Sequence, residues 1–315
     1  MEKQPSPLPI VLTLDLFNKR VILVTGKGGV GRTTIAASLA IAGVRAGKRV
    51  LLTEIGDPDG DYSPLARIFD RDNFDVDAEE VGHGVEACVL YSRRGHELFL
   101  RTVLPVRTLI RAAMRSKALS RFLDSAPSFN EMGVFYHLLT LLREERSDGA
   151  PRHELIIIDM PATGHTLALT SLPESLLQII PVGPVASELR AGQDFLNNPK
   201  TGAALIVTLP EPLPVTECLE LIDGLRETNM PVGGVLVNKV MQDHFTPEER
   251  AALMPVAQSN PVFGRSRFLR LLDNNKALQR LRSNTRVPIS LVPEFTSSDD
   301  ELADNLAESL LTSIG

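Results

Sequence analysis

The sequence predicts an α/β fold, a doubly wound and mostly parallel sheet, from three observations. Short, nearly continuous apolar runs recur along the chain, which is typical of strands covered on both faces. Helical stretches separate these runs. A loop with four glycines follows the first run and leads into a helix. Ligands of such folds bind beyond the carboxyl ends of the strands, so functional residues are expected there.

The composition of the 315-residue chain is that of a soluble globular protein, with 43% apolar and 23% charged residues. We predict a single domain over residues 1–315. The formal net charge of −6 argues against a protein that coats nucleic acid, so no nucleic-acid partner is expected. The two cysteines, Cys88 and Cys218, lack metal-site spacing and fit a reducing compartment. Without a signal peptide or a bilayer-length apolar run, a cytoplasmic protein with no stable membrane insertion is expected.

Seven apolar runs are predicted as strands, and three capping-box sequences are predicted as helix starts. The strand runs occupy residues 21–24, 49–55, 85–91, 154–159, 203–208, 235–238 and 289–292. The capping boxes begin at Ser171, Thr246 and Ser298. Residues 95–145 contain no strand pattern, and arginines are interleaved with their apolar residues. We therefore predict a helical subdomain inserted before the strand that ends at Asp159.

The glycine-rich loop carries the main functional prediction. The spacing Gly26-x4-Gly31-Arg32-Thr33 is a Walker A phosphate cradle in which arginine replaces the usual lysine. Lys27, directly after the first glycine, gives the deviant form of this motif. Backbone N–H groups of such a loop surround phosphates, and the following helix adds its dipole. The predicted nucleotide contacts in the loop are Gly26, Lys27, Gly28, Gly29, Val30, Gly31, Arg32, Thr33 and Thr34.

The same glycines also satisfy a dinucleotide fingerprint. Gly26, Gly28 and Gly31 have its spacing, and Glu54 follows where an acid would hold the ribose of NAD. A cation inside the loop and the pair Thr33–Thr34 suit phosphate and magnesium instead. We therefore predict ATP rather than NAD.

Hydrolysis of ATP needs a magnesium site and a group that orients water. Thr33 and Asp159 are the predicted magnesium ligands, and helix capping is the alternative role for Asp159. Asp57, Lys27 and Asp159 are the predicted catalytic residues. Asp57 would activate water, although another acid of residues 54–61 could do so, or this acidic stretch could be only a solvated turn. Because arginine is bulkier than lysine and planar, Arg32 suggests slow turnover.

Two long motifs resemble the ArsA/Get-type anion-transporting ATPases. One is the loop Gly26–Gly31 with Thr33–Thr34, and the other is the stretch Asp159–Leu167, which is similar to the family's D-T-A-P-T-G-H-T-L. Val237-Asn238-Lys239 and Val292-Pro293 resemble the family's two adenine-reading segments. The resemblance implies that Asn238 and Pro293 contact the nucleotide.

The resemblance also implies a P-loop fold and a magnesium-dependent ATPase that works as a dimer with a second copy or a related chain. Lys27 would then reach the partner's nucleotide, and residues 95–145 would bind a protein client, such as an apolar tail-anchor helix. The zinc-binding C-x-x-C and the metalloid cysteines of some members are absent, and the chain has one residue more than the family before Asp57. The alternatives are an arsenite-pump ATPase subunit and a partitioning or cell-division switch of the same superfamily.

Overall fold

The computed structural model describes residues 16–56, 62–103, 129–161, 163–179, 181–259, 263–295 and 299–312. The strands in these ranges are β1 (Val21–Gly26), β2 (Val50–Ile55), β3 (Glu79–Gly82), β4 (Val85–Leu90), β5 (Leu155–Asp159), β6 (Gly202–Thr208), β7 (Val232–Val240) and β8 (Ile289–Pro293). They form one sheet in the spatial order β3-β4-β2-β5-β1-β6-β7-β8. Neighbouring strands are parallel except for the edge pair β3 and β4. The predicted fold class is confirmed.

Helices connect the strands and cover the sheet. They are α1 (Arg32–Arg45), α2 (Pro64–Arg67), α3 (Ser92–Val103), α4 (Phe129–Leu142), α5 (Thr163–Ile179), α6 (Pro184–Asn197), α7 (Pro212–Glu227), α8 (Pro247–Ser259), α9 (Arg265–Asn284) and α10 (Asp299–Thr312). None of the helices in the described ranges combines the length and the apolar character that crossing a membrane requires.

Alternate residues of the buried strands enter two separate apolar cores. Ile22 and Val24 of β1 pack into the core beneath α1, α2 and α10. Val21 and Leu23 pack into the opposite core, with α4, α5, α7 and α9. This two-sided burial explains why the strand sequences are continuously apolar.

The order of the central strands creates the crevice in which a ligand can bind. β1 lies between β5 and β6, and β2 lies on the far side of β5. After β1 the chain continues through α1 to β2, which lies on the β5 side of β1. The neighbour of β1 on the opposite side is β6, so the strand order reverses at β1. Such a switch point, at the carboxyl ends of the strands, is where ligands bind in doubly wound sheets.

All seven predicted strands are present, but the edge strand β3 was not predicted. β3 is polar, and both Glu79 and Glu80 are exposed, so it lacks the apolar signal of the buried strands. A local signal nevertheless exists in the turn to β4. His83 and Gly84 have φ angles of 53° and 72°, as a two-residue type I′ hairpin turn requires.

The three predicted capping boxes have different outcomes. At Thr246 the box is confirmed, because Glu249 N donates to Thr246 Oγ1 and Thr246 N donates to Glu249 Oε2. The prediction at Ser171 is wrong, since α5 begins eight residues earlier at Thr163 and contains Pro173 in its interior. The Ser171 hydroxyl instead donates to the Ala168 carbonyl within the helix. Ser298 lies outside the described residues.

The predicted helical insertion is described only at its two ends, α3 and α4. These helices cross closely at Gly95 and Gly133, where an added Cβ would overlap the backbone of the other helix. Residues 104–128, which carry most of the predicted apolar and arginine-rich face, lie outside the described ranges. α4 ends at Leu142, three residues before the predicted boundary, and Glu145 pairs instead in a β-bridge with Pro151.

Candidate functional site

The glycine-rich loop connects the carboxyl end of β1 to the first turn of α1. Gly31, with φ 88°, is the N-cap of α1, and no side chain caps this end of the helix. The first N–H groups of α1 therefore have no capping side chain and lie at the end of the loop. Uncapped N–H groups at a helix start, together with the helix dipole, favour a bound anion.

Two of the loop glycines are required by close contacts with neighbouring strands. A Cβ on Gly26 would overlap the Val207 carbonyl oxygen of β6, and one on Gly31 would overlap the side-chain amide of Asn238. In contrast, a Cβ on Gly28 or Gly29 would lie in open space. The loop is therefore fixed at both ends by packing, while its middle remains accessible to a ligand.

Val30 and Asn238 hold the loop against the body of the sheet. The Val30 side chain is 2% exposed and belongs to the core beneath α1. The Asn238 side-chain amide, at the end of β7, donates to the Val30 carbonyl at 2.9 Å. Asn238 thus supports the cradle directly, and its predicted contact with adenine stays a prediction. Pro293, buried at the end of β8, pairs in register with Val240 of β7.

Asp159 lies at the end of β5, where two residues of α1 contact its carboxylate. Thr33 Oγ1 donates to Asp159 Oδ2 at 2.7 Å. Arg32 Nε donates to Asp159 Oδ1 at 3.0 Å, and Arg32 Nη1 donates to the Gly26 carbonyl at 2.9 Å. The structure therefore brings together Thr33 and Asp159, the two residues predicted to bind magnesium.

Burial is the largest influence on the Asp159 carboxyl group. Asp159 is 8% exposed, and this burial raises its pKa above the ordinary value. The hydrogen bond from Thr33 and the charge of Arg32 lower the pKa, but by less than burial raises it. The site thus contains a buried acid that, among the described residues, is partly neutralised by Arg32.

Glu54 is a further acid that contributes to this region. It is half-buried at the end of β2, and its Oε1 accepts a hydrogen bond from Ser63 Oγ. Burial is the largest cause of its raised pKa, and the charge of Asp159 raises it further. Glu54 has the spacing of a ribose ligand, but it lies beside Asp159, the predicted magnesium ligand. Like Asp159, Glu54 follows an apolar run near the end of a strand. This position in the sequence could have predicted that the two acids lie at the same edge of the sheet.

Lys27 forms an ion pair within its own chain. Its Nζ lies 2.7 Å from Glu217 Oε1 of α7, and the two side chains are 53% and 19% exposed.

Asp57, the predicted water-activating acid, lies outside the described residues. Thr34 is part of the first turn of α1, where its carbonyl accepts a hydrogen bond from Ser38 Oγ.

The segment after Asp159 is tied to β1. The Met160 N–H donates to the Val24 carbonyl, and the hydroxyls of Thr25 and Thr166 lie 2.8 Å apart in the interior.

His165, at the exposed start of α5, lies 3.7 Å from Glu131 of α4. A cavity of about 370 Å³ separates these elements, with Gly56, Val134 and His165 in its lining. The end of β2 and the residues that follow β5 therefore share a cavity with α4.

The two cysteines are unsuited to metalloid binding. Cys88 and Cys218 are 0% and 3% exposed, and burial raises the pKa of each thiol to about 12. Because the thiolate is the form that binds soft metals, neither cysteine offers such a ligand near neutral pH.

Comparison with known proteins identifies relatives over most of the chain. ATPase BagA of Mycobacterium tuberculosis is 28% identical over 241 residues, which cover 75% of this chain and 69% of the relative. ATPase GET3 of Kluyveromyces lactis is 24% identical over 257 residues, covering 70% and 72% of the two chains. The family model described as anion-transporting ATPase matches residues 19–183, from just before β1 to just before α6. The chain therefore belongs to the anion-transporting ATPase family.

Proposed function

We propose that this protein is a magnesium-dependent ATPase that works as a dimer and couples ATP binding and hydrolysis to the binding of a protein client. The observation that carries the proposal is the contact of Thr33 Oγ1 with Asp159 Oδ2 at the end of the glycine-rich loop. A hydroxyl and a carboxylate are the oxygen ligands that Mg²⁺ uses beside nucleotide phosphates. These ligands lie at the start of a helix whose N–H groups suit an anion.

The residues of the loop have distinct parts in this function. The backbone N–H groups of residues 26–34 bind the phosphates of ATP, and Thr33 and Asp159 hold Mg²⁺. The metal ion neutralises phosphate charge, which phosphoryl transfer requires. Arg32 neutralises Asp159 in the present structure, and its guanidinium can exchange this carboxylate for a phosphate. Asp57 orients the attacking water.

The helical insertion is the part that we expect to bind the client. The cavity beside Gly56 and His165 borders α4, so a change at the ends of β2 and β5 can reach the insertion. The expected client is an apolar helix, because residues 99–123 supply a broad apolar face with interleaved arginines. Co-purification of a tail-anchor segment should then depend on ATP, and binding that ignores the nucleotide would contradict the client cycle.

Replacing Asp159 tests the ATPase. In Asp159→Asn, we expect phosphate release to fall by roughly 100-fold. The variant loses a carboxylate ligand of Mg²⁺, and with it the positive charge that the metal ion brings to the reacting phosphates. The affinity for ATP in EDTA, measured by isothermal titration, should change little because the loop remains. Asp223→Asn, which removes an exposed carboxylate on α7, is the matched control. A wild-type protein that binds NAD and not ATP, or an Asp159→Asn variant with full turnover, would contradict the proposal.

A further inference from the structure

Glu54 and Asp159 are neighbours at the same edge of the sheet. The parallel ladder between β2 and β5 pairs Glu54 directly with Asp159. Alternate residues of both strands, among them Leu52 and Ile157, belong to the core beneath α1, so both carboxylates project on the α1 face. Adjacent strands lie about 4.8 Å apart. Both acids are therefore next to the first turn of α1, which carries Thr33.

The positive charge at this edge does not balance the two acids. Arg32 pairs with Asp159, and within the described part of the chain no lysine or arginine forms an ion pair with Glu54. Glu54 is also half-buried, so solvent screens its charge only partly. A divalent cation would supply the missing charge. Mg²⁺ commonly uses one or two carboxylates together with phosphate oxygens and water, which fits this pair.

Ser63 links Glu54 to the segment that carries Asp57. The Ser63 hydroxyl donates to Glu54 Oε1 and accepts a hydrogen bond from Ala66 N at 2.8 Å, which makes Ser63 the N-cap of α2. Ser63 is 5% exposed, so this contact lies inside the protein. Residues 57–61 connect the end of β2 to this cap. Glu54 therefore joins the two flanks of the segment that contains the predicted water-activating acid.

We propose that Glu54 is a second acidic positioning residue of the magnesium site, and that its hydrogen bond with Ser63 couples the bound cation to the flanks of the segment carrying Asp57. This inference rests on the proposed ATPase function and deepens it. It assigns to β2 a role that the glycine-rich loop and Asp159 do not fill. Glu54 acts through the water shell of the cation and through Ser63, and not on the reacting phosphate.

Glu54→Gln and Ser63→Ala separate the two parts of this role. The glutamine carbonyl can still accept the hydrogen bond from Ser63, but the charge is lost. The alanine removes the hydrogen bond and leaves the carboxylate. Glu79→Gln, an exposed acid of β3, is the control for the loss of one negative charge. A purely structural Glu54 would tolerate glutamine without any change in the response to magnesium.

The experiment measures the affinity for ATP by isothermal titration in EDTA and at increasing Mg²⁺ concentrations. We expect all variants to bind ATP in EDTA within about twofold of the wild type, since the phosphate cradle is unchanged. The Mg²⁺ concentration that gives half of the effect on affinity should rise about tenfold in Glu54→Gln, as for other groups that support a metal site from outside its ligand set. Ser63→Ala should instead accelerate deuterium exchange at Ala66, with a smaller change in the magnesium response.

The failure of this inference can be distinguished from the failure of the proposed function. A Glu54→Gln variant with the wild-type magnesium response would overturn the role of Glu54 and leave the ATPase proposal standing. A wild-type protein that does not bind ATP, or that binds it without any effect of Mg²⁺, would overturn the proposed function itself. Electron paramagnetic resonance of Mn²⁺ in the presence of ATP gives an independent measure of the same metal affinity.

Discussion

At the scale of single residues, Arg32 is the main departure from the usual phosphate cradle, which has lysine at this position. Its planar guanidinium connects Asp159 to the Gly26 carbonyl, so it bridges the start of the loop and the end of β5. The side chain is 17% exposed, which limits screening of the contact by solvent. A lysine ammonium is a single point charge and cannot match this forked geometry. In the proposed metal site, arginine would therefore compete with the cation for the Asp159 carboxylate more strongly than lysine would.

Arg32→Lys is predicted to lower the Mg²⁺ concentration that ATP turnover requires. Weakening a charge-assisted hydrogen bond to Asp159, worth about 1.5 kcal/mol or more, should lower the Mg²⁺ concentration for half-maximal hydrolysis about tenfold. Steady-state phosphate release over a range of Mg²⁺ concentrations measures this effect. Arg45→Lys, in the last turn of the same helix, is the control. An unchanged magnesium dependence would show that Arg32 does not compete for Asp159.

At the scale of secondary-structure elements, α4 presents a buried histidine to the end of β4. His137 is 3% exposed, and no described residue accepts or donates a hydrogen bond at its Nδ1. Burial, with a smaller effect of Arg94, lowers the pKa of His137 to about 4, while Asp77 and a hydrogen bond with the Tyr91 backbone oppose this shift. The folded protein therefore keeps His137 neutral at pH values where an unfolded chain would protonate it.

The stability of the fold is predicted to depend on pH through His137. Between about pH 6.5 and pH 4 the unfolded state binds the extra proton, so the free energy of unfolding falls as the pH falls. His137→Gln has no imidazole at this position, so it lacks this pH-dependent contribution to the free energy of unfolding. The difference in unfolding free energy between wild type and variant should therefore shift by about 2 kcal/mol from pH 7 to pH 5, against the wild type. Urea unfolding at both pH values measures it.

Exposed His244 provides the control for this measurement. His244→Gln removes an exposed histidine and so controls for the loss of an imidazole side chain. If the difference in unfolding free energy between His137→Gln and the wild type does not change from pH 7 to pH 5, His137 is accessible to protons in the folded state, and α4 packs less tightly than the structure indicates.

At the scale of the whole molecule, the structure shows Lys27 in a contact that a dimer would have to replace. Lys27 pairs with Glu217 of its own α7, which holds the charge beside the loop. In the proposed dimer the same ammonium binds the partner's phosphates. Because the Lys27 side chain is half-exposed, the ion pair contributes only about 0–1 kcal/mol, so its rearrangement is energetically feasible. The Lys27–Glu217 pair then favours the monomer until ATP provides a stronger acceptor.

The dimer is predicted to form only with ATP and to require Lys27. Lys27→Ala should abolish the ATP-dependent dimer, and Glu217→Gln should tighten it about threefold because Lys27 is released from its partner. Sedimentation velocity with ATP and Mg²⁺ measures both effects. Lys276→Ala, another exposed lysine with a nearby acid, is the control. A Lys27→Ala variant that still dimerises with ATP would contradict the assigned role of Lys27.

The sequence alone determined the features that depend on local chemistry. The φ angles of Gly29 and Gly31 and the continuous apolar runs are local properties, so the loop and seven strands could be predicted. The capping box at Thr246 was readable for the same reason, because its two hydrogen bonds join residues three positions apart. The polar strand β3 was not, since an exposed edge strand does not need apolar residues.

Only the tertiary structure decided which charged groups meet around the loop. Glu54 and Asp159 come together because β5 pairs with β2, although more than 100 residues separate them in the chain. The same holds for Arg32 with Asp159 and for Lys27 with Glu217, whose partners are set by strand order and helix packing. No local pattern encodes such pairings, because the register between distant strands is a consequence of burying both faces of the sheet.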